Sequence, residues 1–201
     1  MIDKSQMFIN LNDDAKDNKL TGSFIVSTPH NMSNDLFKKS LVYIISHGVD
    51  GSIGLIVNYP ISKLASQAII KVMQNDKQID SLDIPIFLGG PVDPERGFII
   101  HSMEYDKNVL FRLNNQLCIS SNIDILHDIS AGTGPKNSLF VMGYSSWDKG
   151  QLEQEMQENA WVVLRSNIDL IFDKNNENKW EEALKQAGIN SVQFSSQQGY
   201  A

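Results

Sequence analysis

The chain is short of the residues that brace, export or anchor a protein. It carries one cysteine, Cys118, which excludes an internal disulfide and makes a reducing compartment the simplest setting. No apolar run approaches the ~18–20 residues of a membrane span. The longest runs, around Leu41–Ile45 and Gly54–Val57, are strand-sized. Residues 1–19 hold no apolar core of the length a signal peptide needs. Basic charge is scarce as well: 17 Lys and Arg stand against 24 Asp and Glu, a net charge of −7. Only Lys38 and Lys39 are adjacent. Nucleic-acid affinity comes largely from basic groups neutralising phosphates, so direct DNA binding is not expected. These absences predict a soluble, cytoplasmic protein without a membrane segment.

What is present suits one globular domain. The chain has 201 residues, 41% of them hydrophobic, enough to bury a core without metal or disulfide staples. Residues 1–19 are polar and charged and read as a flexible extension, although Met7, Phe8 and Ile9 offer docking groups. Residues 20–201 read as a single domain. Short β-branched runs predict strands at Ser23–Ser27, Leu41–His47 and Gly54–Asn58, then at Ile86–Leu88, Gly97–His101, Val109–Leu113, Gln116–Ser120, Leu139–Tyr144 and Val162–Arg165. Asp50-Gly51 favours a tight hairpin turn between the second and third. Helices are predicted after Ser62 and Asn122, each an N-cap residue type. Asp148-Lys149-Gly150-Gln151 resembles a capping box opening a third. A last helix runs over Lys179–Ala187 and stops at Gly188. Strands arrive in hairpin order before any regular β–α alternation, which predicts an α+β fold.

Several segments carry residue types suited to a site. Gly89 and Gly90, followed by Pro91, let backbone amides approach a ligand, and Arg96 offers a bidentate partner for a carboxylate or phosphate. The same segment also reads as a tight turn with a structural salt bridge. It matches neither the dinucleotide nor the Walker phosphate pattern. His47 and His101 sit at predicted strand ends and have the chemistry of acid/base groups. With His30, His127 and Cys118 they make no metal pattern, so no metal or cofactor is expected. Ser145 lies at a strand-to-helix bend, but the nucleophile elbow needs GxSxG and position 147 is Trp. Trp147 reads as a binding platform or as a core cap. Asn58 ties a bend or lines a pocket. Glu153, Glu155 and Glu158 read as a solvated acidic face, because their spacing scatters them around a helix.

Taken in order, these segments resemble the YqgE/AlgH family of bacterial proteins. The resemblance is carried by Leu20-Thr21-Gly22-Ser23-Phe24 with Thr28-Pro29, and by Asp35 through Tyr43. It continues with His47–Gly51, Gly54–Asn58 and Pro60, Gly89-Gly90-Pro91-Val92, and Arg96–His101. Gly143-Tyr144, Trp147, Gly150–Glu153, Glu155, Asn159 and Trp161 follow, and Ile171-Phe172-Asp173, Trp180, Ala183-Leu184 and Gly188-Ile189 complete it. The chain departs from the family at Ser46, where Glu is usual, and at Ser145, Ser146, Asp148 and Tyr200. The resemblance implies a bent, split, mostly antiparallel sheet wrapped into a pseudo-barrel with flanking helices, and a cytosolic location. It implies no established activity, although some members are labelled transcriptional regulators.

Two functions are open at this point. The first is a non-enzymatic regulatory or ligand-binding protein. In it Asn58, Gly89, Gly90, Pro91, Arg96, His47, His101 and Trp147 converge on one hollow that takes a small anionic ligand or a protein partner. The second is a hydrolase or transferase that uses His47 or His101 with the Gly89–Gly90 amides. A transcriptional regulator that binds DNA directly is a weaker third.

Overall fold

The computed structural model describes residues 20–29, 35–73, 84–113, 117–122, 124–165 and 167–189. The predicted extension at 1–19 and His30 lie outside them. Nine strands follow in chain order: β1 (Phe24–Ser27), β2 (Leu41–Gly48), β3 (Gly51–Ile56), β4 (Ile86–Leu88), β5 (Val92–Ser102), β6 (Val109–Leu113), β7 (Leu117–Ser120), β8 (Ser138–Asp148) and β9 (Trp161–Leu164). They form one sheet in the order β6-β7-β5-β8-β3-β2-β1-β9, antiparallel throughout, with β4 added parallel to β8. Among the described residues five α-helices flank it: α1 (Lys63–Met73), α2 (Asp124–Ser130), α3 (Gln151–Gln157), α4 (Ile168–Phe172) and α5 (Lys179–Gln186). The sheet curls into a half-barrel, the α+β pseudo-barrel expected.

The curl turns on β8. Its first half pairs with β5 on one side and β4 on the other; its second half pairs with β3. Where β4 ends, the Gly89 amide donates to the Met142 carbonyl (2.7 Å) and the Gly89 carbonyl accepts from the Ile56 amide (3.0 Å). The edge of β8 is thereby handed from β4 to β3. A Cβ on Gly89 would strike Gly143 and Val141, and one on Gly90 would strike the backbone of Tyr144 and Ser145. These glycines are required by close backbone approach. At the same level β8 bends at Gly143, whose φ of 70° is left-handed.

The inner face of the curl gathers the main core: Phe24, Tyr43, Leu55, Phe87, Phe98, Leu117 and Val141 among others, closed at one end by Leu170, Ile171, Trp180 and Leu184 from α4 and α5. On the outer face, α3 covers Ile25, Val42, Ile44 and Trp147. A second outer layer joins Ile99 and Phe140 to Ile70 of α1 and Ile125 of α2.

The expected helix caps at Ser62 and Asn122 are formed: Ser62 Oγ accepts from the Ala65 amide and Asn122 Oδ1 from the Asp124 amide. Two expectations are corrected. The strand predicted to end at Tyr144 runs on to Asp148, so Trp147 lies within a strand and not in a bend. In the capping box only the glutamine half is made, Asp148 N to Gln151 Oε1 (2.9 Å). The N-cap itself is Gly150, at φ 75° and with no side-chain cap bond.

One charge is buried beneath this frame. Lys179, 1% exposed, donates from Nζ to the carbonyls of Ile171 (2.8 Å) and Val57 (3.2 Å), and its ammonium sits 5.4 Å from the Phe87 ring centre. It ties α4 and α5 to the end of β3. Burial pushes its pKa from 10.5 down to about 8, against the pull of Asp173. The unfolded chain therefore holds this proton more tightly than the folded one, and stability from this group rises with pH between those two values. From about pH 8 to about pH 9.5, the native protein should gain about 1.5 kcal/mol relative to Lys179→Met. Urea unfolding of both proteins across that window measures the difference; parallel curves would rule the coupling out.

Candidate functional site

A β-bulge places the first histidine. The register of β2 against β3 shifts between Ile44 and Ser46, so that Ile44 faces Gly54, Ser46 faces Ile53 and His47 faces Ser52. Period-two alternation from Tyr43 and Ile45 would have sent His47 into the main core. The extra residue turns it to the outer face, under α3. There Nδ1 lies 2.8 Å from Ser52 Oγ, and Nε2 lies 3.6 Å from Glu153 Oε1, an ion pair when the imidazole is protonated. A carboxylate at Nε2 favours the proton there, which leaves Nδ1 to accept from the serine hydroxyl. Ser52 is 1% exposed and His47 9%.

Trp147 stands in the same row, opposite Ser52 on β8. Its indole N–H donates to Glu155 Oε2 (2.8 Å), and the Trp161 indole donates to the same oxygen (2.7 Å). The two rings meet edge-on at 5.8 Å, and Phe37 packs against both. Gln151 Nε2 donates to the other Glu155 oxygen (2.9 Å). The expectation of a solvated acidic face is therefore corrected at Glu155 and Glu153, while Glu158 is exposed as expected. Glu155 is half-buried and clamps two strands through their indoles, and Glu153 turns toward His47. Their spacing of two, which places them on different helix faces, is what lets each meet a different partner.

His101 is held separately. It pairs with Ser138 at the start of β8, whereas Ser52 pairs with Trp147 near its end. That is about 30 Å of strand contour. The buried imidazole has Nδ1 3.0 Å from the Ser102 carbonyl, so Nδ1 carries the proton, and Nε2 accepts from the Ser120 hydroxyl (3.0 Å). Burial pushes its pKa below the ordinary histidine value, and Tyr105 packs edge-on against it. Both nitrogens are spent, so it offers no free lone pair for acid/base work.

The remaining predicted site residues are placed as follows. Asn58 is buried; Oδ1 accepts from the Leu41 amide and Nδ2 donates to the Lys39 carbonyl, both at 2.8 Å. It ties the bend where Lys39 takes a left-handed φ of 54°. Gly89 and Gly90 lie against β8, and the Gly89 carbonyl also accepts from Ser145 Oγ (3.1 Å). Pro91 is exposed, and Arg96 is half-buried with its guanidinium 5.4 Å from the Phe98 ring centre. The structure thus brings His47 and Trp147 into one row and Gly89–Gly90 against β8, and keeps the two histidines apart.

Sequence reasoning missed a concave surface. Between α4 and α5 lies a groove of about 400 Å³, lined by Ile168, Leu170 and Phe172 and by six polar residues, Asp169, Asp173 and Glu182 with Asn137, Asn167 and Gln186. Its five-residue helix α4 is too short to show a period. Asn167, whose side chain accepts from the Asp169 amide (3.2 Å), was the one legible signal for it. Among the described residues no group of three or more His, Cys, Asp or Glu is placed to hold a metal ion.

Replacing Glu155 by Ala strands two indole N–H groups of side chains only 3% and 4% exposed, at a cost of about 2–4 kcal/mol. Glu155→Gln keeps an accepting oxygen and should cost less than half as much. Urea denaturation with near-ultraviolet circular dichroism of the indoles reads both. Equal stability of the alanine variant and the parent would remove the clamp.

The comparisons with known proteins agree with one another. A family model described as AlgH-like matches residues 24–192. UPF0301 proteins of Rickettsia canadensis and Rickettsia massiliae are each 45% identical over 182 residues, 90% of this chain and 96% of theirs. The solution structure of the AlgH protein from Pseudomonas aeruginosa is similar with a TM-score of 0.73 at 30% identity, covering 94% of this chain and 100% of that one. A crystal structure of a Corynebacterium diphtheriae protein shares the fold, with a TM-score of 0.66 at 18% identity over 88% of this chain and 91% of that one.

Proposed function

From the premise that the chain belongs to the AlgH-like family, we propose that it is a cytoplasmic regulatory protein that works by binding and not by catalysis. One contrast carries this reading. The polar groups that looked chemical in the sequence are engaged inside the fold: Asn58 in a bend, the Gly89 amide in the sheet, His101 between Ser102 and Ser120, Trp147 on Glu155. The α4–α5 groove is instead an open concave surface, in which Ile168, Leu170 and Phe172 stand among six polar side chains. A cytoplasmic setting accords with the lone, buried Cys118. Direct DNA reading has little support in a chain of net charge −7.

One observation favours a second reading, a hydrolase or transferase. Ser52, His47 and Glu153 form a row in which a hydroxyl, an imidazole and a carboxylate follow one another, the order of an activated nucleophile. Against it stands the burial of Ser52 and the absence of the Gly89–Gly90 amides from that row.

Two measurements on the full chain separate the readings. Activity profiling against ester, phosphoester and acyl substrates should show no turnover. Thermal shifts against a panel of small cations, small anions and short peptides should show stabilisation by one chemical class. Turnover abolished by His47→Ala would establish the enzyme reading; a flat thermal-shift panel would defeat the binding one.

A further inference from the structure

The sheet ends in two strands, β6 and β9, and only β6 is guarded against further pairing. An edge strand presents unpaired backbone groups, and folded proteins blunt it with bulges and charged side chains. β6 has both: its register shifts between Val109 and Phe111, and Arg112 stands exposed on it. β9 has neither, and all of its side chains are apolar. The hydrogen bonds fix which of its backbone groups face outward. Thr28 N donates to the Ala160 carbonyl (3.0 Å), one step beyond the Ser27–Trp161 pair. Bonded and non-bonded pairs alternate along an antiparallel ladder. Val162 and Leu164 therefore bond β1, and Trp161 and Val163 turn their N–H and C=O groups to the open edge. The other side of β1 has the matching parity: Ser27 N donates to the Ser40 carbonyl (3.1 Å), and the Ser23 carbonyl accepts from Ile44 N (2.9 Å). Among the described residues no hydrogen bond engages the outward groups of Trp161 and Val163. The side chains show the same missing neighbour. Ile56, Val42, Ile25 and Val163 form one row across β3, β2, β1 and β9. The first three are fully buried, and Val163 is 41% exposed.

We infer that the open edge of β9 is completed by the β9 of a second copy of this chain, antiparallel and related by a two-fold axis. With Val162 opposite the partner's Val162, Trp161 faces the partner's Val163 and Val163 faces the partner's Trp161. Both of these become bonded pairs, so every outward backbone group of the edge finds a partner. The outer row continues from Val163 onto an indole, an aromatic–β-branched pair of the kind that stabilises sheets. Val162, half-buried in one copy, is covered at the axis by its own equivalent. The charges agree with this register. It brings the exposed Arg165 beside the loop that holds the partner's Glu158, once on each side of the axis. A strand of an unrelated protein satisfies the backbone alone, whereas a second copy satisfies backbone, row and charge together. Such a contact is isologous and closes on itself. A strand of four residues covers less than the roughly 800 Å² per partner of a standard interface, so the dimer separates on dilution, with a Kd between about 1 and about 100 μM. The inference goes beyond the binding reading and does not rest on it.

The test combines sedimentation velocity with amide hydrogen exchange on the full chain. Sedimentation should show mainly monomer at about 1 μM and mainly dimer at about 1 mM. In the ¹⁵N-labelled chain, the amides of Trp161 and Val163 should exchange at least about fivefold more slowly at about 1 mM than at about 20 μM. The amides of Val162 and Leu164, already bonded to β1, should not change. Val163→Lys supplies the guard that β9 lacks, and should raise the dimer Kd by about tenfold or more with the far-ultraviolet circular dichroism unchanged. Arg165→Glu, a surface change, should weaken the dimer, and adding Glu158→Arg should restore it. A chain that stays monomeric at about 1 mM would overturn the inference. So would a dimer untouched by Val163→Lys, or one in which the two outward amides exchange as they do in the monomer. Outward amides protected at every concentration would show the edge covered from within the chain, and failed rescue by Glu158→Arg would overturn the two-fold register.

Discussion

Two backbones touching where β4 gives way to β3 set the shape of the whole molecule. Gly89 and Gly90 carry no side chain, so the chain can lie directly on Gly143, Tyr144 and Ser145. Gly89 then bonds Met142 through its amide and Ile56 and Ser145 through its carbonyl. One strand, β8, thereby serves two half-sheets that could not both occupy its edge at one level. The right-handed twist natural to strands and the left-handed turn at Gly143 convert that exchange into a curl. The inner face of the curl is what Phe87, Phe98 and Val141 fill. A side chain at either glycine would separate the backbones and open the core along this seam.

The curl decides which chemistry is within reach of which. It carries the two ends of β8 to different places, and His101 goes with one and His47 with the other. The bulge at Ile45 then selects the face on which His47 appears, and α3 closes over it. The packing of α3 is itself anchored by a single carboxylate that two tryptophans share. A charged acceptor makes stronger hydrogen bonds than a neutral one, which suits a position that must hold β8, β9 and a seven-residue helix together. Burial that ties down polar groups so fully adds stability and removes reactivity. His101, hydrogen-bonded at both nitrogens, is the clearest case.

Much of this was legible from the chain. The strands, the hairpin between β2 and β3 (its two-residue turn at Val49–Asp50, one residue before the Asp50-Gly51 pair that signalled it), the caps at Ser62 and Asn122 and the α+β class follow from local patterns, because turns and caps are made by neighbouring residues. The family resemblance added the split sheet, which no local pattern contains. What escaped were features set by distant contacts. Position 147 looked like a bend because Gly143 and the following serines suggest one, yet pairing with β3 keeps β8 extended to Asp148. Glu155 looked like a surface residue because no periodicity reveals that two indoles will point at it. The bulge at Ile45 was illegible for the same reason: it shows only against the register of β3. The helix α4 was missed because five residues give no period to read.

The division of charge across the α4–α5 end follows from the same burial argument. Lys179 is enclosed because its ammonium supplies donors that the Val57 and Ile171 carbonyls need where β3 and α4 end. Enclosing it costs solvation, which is why burial is the first cause of its lowered pKa, and the nearby Asp173 offsets part of that cost. A carboxylate that compensates a cation beneath it belongs to the structural account of the fold. The carboxylates of Asp169 and Glu182 stand farther around the rim, and no described lysine or arginine pairs with them. Both are exposed to water, which solvates a carboxylate without a cationic partner.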